Sequence, residues 1–398
     1  QALDQFGDGV VETLGPECRQ QFGLMDLTAS LKEVHFPAAE ESAEAARRRL
    51  AFEELYQQQL LLARARVRRR ALCNGLSLGS RGLVARFLEQ LPFSPTAAQS
   101  RVAEEILADL EASCQMCRLL QGDVGSGKTL VALCAILQAV DSGFQAALMA
   151  PTEILATQHY NRTCAQLAPL EMNAILLVGG QRASLRAELL TSIETGAANL
   201  VVGTHALIQD AVRFPNLGLA VIDEQHRFGV VQREDLAAKG RQPNLLFMTA
   251  TPIPRTLALS LYGDTDISIL DEMPPGRRPV RTVVRTPESR DAIFRFVADQ
   301  LDAGRQAYLV YPSIEESEKL GLRSAFRAFE ELACGAFAGY RLGLLHGQMS
   351  ADEKRTAMNA FVDGSTQALI STTVIEVGVD VANATVMVIE NAERFGLA

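Results

Sequence analysis

From Gly75 onward, short apolar runs alternate with stretches of helix-forming residues, and few folds accommodate this alternation. It predicts a parallel sheet with helices on both faces. The predicted strands of the first series are CRLLQG, AALMAP, NAILLV, NLVVGT, LAVIDE and NLLFMTAT. The second series contains the predicted strands VRTVVRT, AYLVYP, YRLGLLHG, QALIST and TVMVIEN, with helices at Glu288–Ala303, before Gly335 and at Ala351–Val362. The fold class is therefore predicted to be α/β, with parallel-sheet domains in tandem and the second one incomplete.

Composition changes set the predicted domain limits. Between Ala38 and Leu72 there is no glycine or proline, acidic residues come first and arginines last, which predicts one long helix. Its arginine-rich end is interpreted either as a contact for DNA phosphates or as a solvated helix end. The segment Asp271–Pro279 contains three prolines and a glycine, so it is predicted to be a linker. The resulting limits are 1–37 for a connecting region, 38–75 for the long linker helix, 76–271 for the first domain and 272–398 for the second. No repeated sequence is evident between the two domains.

Charge and composition restrict the class of protein. The chain has 38 Lys and Arg against 47 Asp and Glu, a net charge of −9, so any nucleic acid must bind to a local basic strip. No apolar run is long enough to span a bilayer, which excludes a membrane-spanning protein. The seven scattered cysteines and the lack of a secretory signal predict reduced thiols and a cytoplasmic location.

The sharpest motif is Gly122-Asp-Val-Gly-Ser-Gly-Lys-Thr129, which fits the phosphate-binding pattern G-x-x-x-x-G-K-[ST] and lies between a predicted strand and a predicted helix. Glycines allow backbone N–H groups to turn towards phosphates, and the helix that follows directs its positive end at them. Lys128 is predicted to reach the β and γ phosphates of ATP, and Thr129 to ligate Mg²⁺. The predicted ATP-binding residues of this loop are Gly122, Asp123, Val124, Gly125, Ser126, Gly127, Lys128 and Thr129.

A second polar group follows the apolar run LAVI. Asp223 is predicted to hold the metal ion and the adjacent Glu224 to activate water. The alternative is an ordinary polar strand end, but the phosphate-binding motif favours the catalytic interpretation. The predicted catalytic residues are therefore Glu224, Lys128 and Asp223.

Threonines follow other predicted strands. Thr249 and Thr251 come after NLLFM and are interpreted either as a relay of nucleotide state or as a polar turn fixed by prolines. Thr152 and Thr204 suit contacts to the phosphate backbone of DNA, and each is equally suited to cap a helix.

The set GDVGSGKT, PTEILATQH, GTHAL, DEQHRFGV, TATPIPRT, LLHGQM and STTVIEVGVDVANATVMVIENAERFG, in this order, resembles the motor of the RecG family. These are bacterial ATP-dependent DNA helicases of helicase superfamily two, and the resemblance covers Leu91 to Ala398. It implies two RecA-like domains, ATP and Mg²⁺ as cofactors, and a monomer that binds branched double-stranded DNA, such as stalled forks and Holliday junctions, in recombination and repair.

The resemblance also implies roles for individual residues. Gln99 matches a glutamine that recognises adenine, the alternative being a glutamine on a helix surface. Thr249, Thr251 and Arg255 match a motif that couples hydrolysis to movement, and Thr152 and Thr204 match motifs that contact DNA. Gly378 and Asp380 match a motif that faces the nucleotide from the second domain.

The resemblance is partial. The family's arginine-containing motif is expected just after Arg394-Phe-Gly-Leu-Ala398, and most of its wedge domain before residue 1, so we expect a fragment that binds ATP and hydrolyses it slowly. Alternatives are the motor of a transcription-repair coupling factor, a nucleotide-dependent DNA-binding module without turnover, and an RNA helicase.

Overall fold

The structure of the chain is a computed structural model. It describes residues 9–72, 75–224, 235–236, 238–251, 265–274, 280–312, 318–372, 381 and 383–394. Arg255, Gly378 and Asp380, three of the residues predicted to serve the site, lie outside these ranges. The chain divides into two compact units, of which the first is Gln1–Leu148, Ala187–Val201 and Ile208–Glu272, and the second is Met149–Arg186, Val202–Leu207 and Met273–Ala398.

Helices dominate the first part of the chain, and their bounds are α1 Pro16–Phe22, α2 Leu27–His35, α3 Glu40–Leu72, α4 Gly82–Glu89 and α5 Ala97–Glu111. The predicted long helix is confirmed as the 33-residue α3. The fully buried Arg49 fixes α3 to the preceding segments, because it binds the carboxylates of Glu12 and Glu53 and donates to the carbonyl of Met25. No helix in the described ranges combines the length and the apolar character needed to cross a bilayer.

Among the described residues, the first sheet has seven strands in the order β3-β4-β2-β5-β6-β1-β7. Its strands are β1 Cys117–Gly122, β2 Gln145–Met149, β3 Ala174–Leu177, β4 Leu200–Gly203, β5 Leu217–Ile222, β6 Asn244–Thr249 and β7 Asp266–Leu270. The helices between them are α6 Lys128–Asp141, α7 Glu153–Leu167 and α8 Ala183–Glu194. All six predicted strands of this series are confirmed, and α6 is buried from Leu130 to Ala139, as a helix packed against a sheet requires. The edge strand β7 was not predicted.

In the part of the chain that the structure describes, the second sheet has four parallel strands in the order β11-β8-β10-β9. Its elements are α9 Arg290–Asp302, β8 Gln306–Val310, α10 Glu318–Cys334, β9 Leu342–Leu345, α11 Ala351–Val362, β10 Ala368–Ser371 and β11 Ala384–Ile389. The predicted strand VRTVVRT is wrong, because residues 280–286 join neither sheet. Val280 and Val284 are 86% and 89% exposed there, so these valines contribute nothing to a core.

A buried glutamine begins one central strand in each sheet and makes the same pair of hydrogen bonds. Gln145 begins β2, and its side-chain amide donates to the carbonyls of Ile193 and Ala198. Gln306 begins β8, and its amide donates to the carbonyls of Phe361 and Thr366. In both sheets one of these carbonyls lies in the last turn of a helix and the other in the loop that leads to the neighbouring strand.

Both glutamines stand in the short sequence Asp-x-Gly-x-Gln-Ala. The glycine carbonyl in each copy accepts from an asparagine side chain, Asn216 to Gly143 at 2.8 Å and Asn383 to Gly304 at 2.9 Å. The expectation that the two domains share no repeat is therefore wrong for this six-residue sequence. Within this repeat the glutamines are buried, whereas the glycines that accept from asparagine are exposed.

Candidate nucleotide-binding site

The motif Gly122–Thr129 joins the end of β1 to the start of α6. Gly125 and Gly127 have φ values of +79° and +96°, which only glycine adopts at little cost. Lys128 and Thr129 consequently fall in the first turn of α6, where backbone N–H groups have no acceptor within the helix.

Side chains are excluded from two glycine positions of this loop. A Cβ at Gly127 would lie 2.2 Å from the side-chain nitrogen of Gln99, and a Cβ at Gly122 would lie 2.5 Å from Ser126 Oγ. The loop backbone is thus in direct contact with its neighbours.

Polar groups are concentrated inside the loop. The Lys128 ammonium donates to the carbonyls of Gly122 and Asp123 at 2.8 and 3.1 Å. Ser126 Oγ is buried and has no hydrogen-bond partner among the described residues, although buried hydroxyls are nearly always paired. An anion bound in the loop would give the Ser126 hydroxyl an acceptor and the Lys128 ammonium a negatively charged partner, so the residues present fit a phosphate chain.

Gln99 is buried against this loop and not exposed on a helix surface. It is 4% exposed, and its side-chain amide donates to the carbonyl of Ser126 at 2.7 Å. Its carbonyl oxygen accepts from the N–H of Thr96, whose hydroxyl in turn caps the N–H of Gln99. This capping box holds the amide in one orientation beside the loop.

The two predicted catalytic carboxylates directly follow β5. Asp223 and Glu224 are 7% and 6% exposed, and the N–H of Glu224 donates to Asp223 Oδ1 at 3.0 Å. Glu224 has a φ of +47°, a conformation that non-glycine residues rarely adopt and that is concentrated at functional sites. An Asp–Glu pair at a strand end, with one residue in this conformation, suits a metal ligand and an activating base.

Strand pairing brings these groups to one edge of the first sheet. β6 lies between β5 and β1, with Ile222 opposite Phe247 and Gln121 opposite Thr249. Because the three strands are parallel, Asp223, Thr249 and Gly122 all lie at their carboxyl ends, where doubly wound sheets bind ligands.

Thr249 and Thr251 contact each other at this edge. Their hydroxyls are 2.8 Å apart, and the N–H of Thr251 donates to Thr249 Oγ1. Thr249 is 1% exposed. The polar turn is therefore present, and these hydroxyls lie at and just after the end of β6, the strand between the two predicted catalytic segments.

Of the two threonines predicted to contact DNA, Thr152 caps a helix and Thr204 is buried. The hydroxyl of Thr152 accepts from the N–H of Leu155 and caps α7, as its alternative interpretation predicted. Thr204 is 1% exposed, and its hydroxyl has no partner among the described residues. The structure thus assigns Thr152 a capping bond and leaves Thr204 buried.

Two residues beside the site were missed by sequence reasoning. Glu272 accepts from the N–H of Ala98 at 3.0 Å, and Arg101 donates to the carbonyl of Ile269 at 3.1 Å. Both contacts span more than 160 residues of sequence, and Glu272 stands in a proline-rich stretch that indicated only a linker. No local pattern could have found them.

The second sheet has a related but different carboxyl edge. Glu390 and Asn391 follow β11 as Asp223 and Glu224 follow β5, and Asn391 also has a positive φ, +51°. Glu390 is paired with Arg290 at 3.3 Å, at the start of α9. Burial is the main reason why the pKa of the neighbouring Tyr311 is raised, and the Glu390 carboxylate adds to it. A guanidinium thus neutralises the strand-end carboxylate of this sheet.

Comparison with known proteins agrees with this architecture. The DEAD/DEAH box helicase family matches residues 96–259, and the helicase conserved C-terminal domain matches residues 290–395. A structure described as RecG bound to three-way DNA junction superposes with a TM-score of 0.83 at 42% identity, covering 100% of this chain and 52% of that one. Mycobacterium smegmatis helicase Lhr, at 18% identity and a TM-score of 0.56, covers 79% of this chain and 44% of its own, and shares the fold. The expectation of two RecA-like domains is confirmed.

Curated relatives carry the same name as that structure. ATP-dependent DNA helicase RecG of Synechocystis sp. is 48% identical over 97% of this chain and 47% of its own length. The Bacillus subtilis protein of that name is 45% identical over 100% of this chain and 58% of its own length. The chain thus spans about half the length of the curated relatives it matches. On this similarity and on its two helicase domains, the chain belongs to the RecG helicase family.

Proposed function

We propose that this chain binds ATP with Mg²⁺ and couples its hydrolysis to movement along branched double-stranded DNA, in recombination and repair. The observation that carries the proposal is the shared sheet edge, where the glycine loop around Lys128 and the buried pair Asp223–Glu224 follow neighbouring parallel strands. The relative bound to a three-way DNA junction supports branched DNA as the substrate.

Each residue of the edge receives a role in this proposal. Lys128 leaves the carbonyls of Gly122 and Asp123 and donates to the β and γ phosphates, where both partners of the hydrogen bond are charged. Thr129 and Asp223 would hold Mg²⁺, which when bound neutralises charge on the phosphates. Glu224 polarises the attacking water. Its positive φ sets the direction in which its side chain leaves the backbone.

Further roles complete the proposal. Gln99 recognises adenine, since a glutamine amide can pair with both N6 and N7 of that base. Thr249, Thr251 and Arg255 couple ATP hydrolysis to movement. Gly378 and Asp380 face the nucleotide from the second domain. The segments that contain Thr152 and Thr204 contact DNA phosphates.

The proposal extends to the organisation of the chain. We assign residues 1–37 to a connecting region, 38–75 to a linker helix, 76–271 to the ATP-binding domain and 272–398 to the second helicase domain. The protein acts as a monomer in the cytoplasm.

The test is ATP hydrolysis by this chain with and without a synthetic three-way DNA junction. Lys128→Ala should abolish junction-stimulated turnover, by at least ~10²-fold, because it removes a charge from the phosphate site. Lys239→Ala is the matched control, since that ammonium also donates to a backbone carbonyl, that of Gln209, but away from the edge.

A parallel binding measurement with a fluorescent ATP analogue distinguishes a motor that hydrolyses ATP from a DNA-binding module that binds ATP without turnover. Junction-stimulated turnover that Lys128→Ala removes supports the motor. Tight ATP binding without turnover supports the nucleotide-dependent DNA-binding module and the expectation of slow hydrolysis. Equal turnover in wild type and Lys128→Ala would refute the assignment of this site.

A further inference from the structure

The segment that follows the last strand of the first sheet lies directly beside the nucleotide loop. β7 pairs with β1 so that Leu270 is opposite Gly122, the first residue of the loop. A Cβ at Gly122 would lie 2.9 Å from Leu270 Cβ, so the two backbones are in close contact. The first unit ends at Glu272. We refer to Leu270, Asp271 and Glu272 as the exit segment.

Two side-chain contacts fix the exit segment to α5. Glu272 Oε2 accepts from the N–H of Ala98 at 3.0 Å. Arg101 contacts Asp271 Oδ1 at 3.3 Å and donates to the carbonyl of Ile269. Ala98 is the second residue of α5, so its N–H has no acceptor within the helix. A carboxylate at this end also interacts favourably with the helix dipole.

The same helical turn carries Gln99. Thr96 and Gln99 form the capping box, and the Gln99 amide donates to Ser126 inside the nucleotide loop. Glu272 binds the N–H of Ala98, the residue immediately before Gln99 in the chain. A continuous path of adjacent contacts therefore runs from the exit segment through the first turn of α5 to the loop. Any rotation of this turn changes the bond to Glu272 and the orientation of Gln99 together.

We propose that Glu272 is a positioning residue that couples adenine recognition by Gln99 to the exit segment. This inference rests on the proposed ATP-binding function. An adenine paired with Gln99 fixes the first turn of α5 and so strengthens the bond from Ala98 to Glu272. By thermodynamic linkage, the bond to Glu272 must favour adenine to the same extent. A triphosphate without a base engages only the loop and lacks the pairing with Gln99 that fixes the turn.

The test compares the affinities of MgATP, MgGTP and magnesium tripolyphosphate for the full chain and its variants. Glu272→Ala should reduce the preference for ATP over GTP about 2- to 30-fold, the range that a lost helix cap allows. Its affinity for tripolyphosphate should stay unchanged. Glu272→Gln keeps an acceptor for Ala98 and should fall between wild type and Glu272→Ala. Glu89→Ala, at the exposed end of α4, is the matched control and should change none of the three affinities.

Hydrogen exchange at the Ala98 amide provides a second measurement. MgATP should slow this exchange in wild type, whereas tripolyphosphate should not, and Glu272→Ala should lose the ATP effect. An equal loss of all three affinities in Glu272→Ala would show a merely structural role and overturn the inference. An unchanged ATP preference would overturn it as well. Wild-type protein that binds neither ATP nor tripolyphosphate would refute the proposed function itself, which is a separate result.

Discussion

Replacing Gly127 by alanine tests how the nucleotide loop is held. Two costs are expected. An L-residue at a φ of +96° is strained, by ~1–2 kcal/mol. The new Cβ would lie 2.2 Å from Gln99 Nε2, so Gln99 must abandon its bond to Ser126 and leave buried polar groups unpaired, at ~1–3 kcal/mol. Gly127→Ala should therefore lower the free energy of unfolding by ~2–5 kcal/mol.

Urea unfolding followed by circular dichroism measures this cost, and a double-mutant cycle separates its two parts. In a Gln99→Ala background the clash is gone, so Gly127→Ala should cost only the ~1–2 kcal/mol of backbone strain. Gly143→Ala is the control for that strain, because its φ is +82° and nothing lies within 4 Å of the added Cβ. An equal cost of Gly127→Ala in both backgrounds would refute the contact between Gly127 and Gln99.

Three further predictions concern stability. Arg49→Met leaves the carboxylates of Glu12 and Glu53 without their buried cation and should lower the free energy of unfolding by ~2–4 kcal/mol, measured by urea unfolding; a cost near zero would contradict the ion-pair assignment. Burial lowers the pKa of His346 below its ordinary 6.5, so the stability that the neutral imidazole contributes is complete above pH 6.5 and is lost as the pH falls towards the lower folded-state value. In His346→Gln the thermal unfolding midpoint should therefore change less between pH 5 and 7.5 than it does in wild type. Gln145→Leu and Gln306→Leu each leave two carbonyls unpaired and should each cost ~1–3 kcal/mol in unfolding experiments; a large effect of only one would show that the two arrangements are not equivalent.

The central strands of both sheets could be predicted from the sequence because each is a buried apolar run bounded by a polar or glycine-bearing loop. The strand β5 is buried at all six positions, and the hydrophobic pattern alone identifies such a segment. The helix α11 has the predicted limits because Ser350 and Glu353 form a capping box at its start.

Segments at the margins of the sheets could not be predicted in this way. β7 lies at the edge, and its residues are only partly buried, so its pattern is weak. Residues 280–286 have the valines of a strand, but Val280 and Val284 are exposed. Strand propensity describes a side chain that fits a half-buried surface, and the sequence does not say whether a neighbouring strand is there.

The candidate site was predictable where its chemistry is local. The glycine loop and the strand-end carboxylates are contiguous motifs, and the structure brings them to one edge. The contact of Glu272 with Ala98 joins residues 174 positions apart, and the orientation of Gln99 depends on Thr96 and Ser126 together. The two interpretations of Thr152 were equal in the sequence, and only the bond to Leu155 distinguishes them.

The paired glutamines Gln145 and Gln306 have a consequence for how such a protein changes over evolutionary time. Each closes the amino end of its sheet, whereas Asp223 and Glu390 lie at the opposite end. The amino ends share the same asparagine, glycine and glutamine, while the carboxyl ends differ, with a buried carboxylate pair in one sheet and a partly exposed ion pair in the other. The glutamines and the carboxylates also belong to different strands, so a substitution at the carboxyl edge does not alter the residues that hold the amino edge. The scaffold can therefore stay fixed while the reactive edge is free to vary.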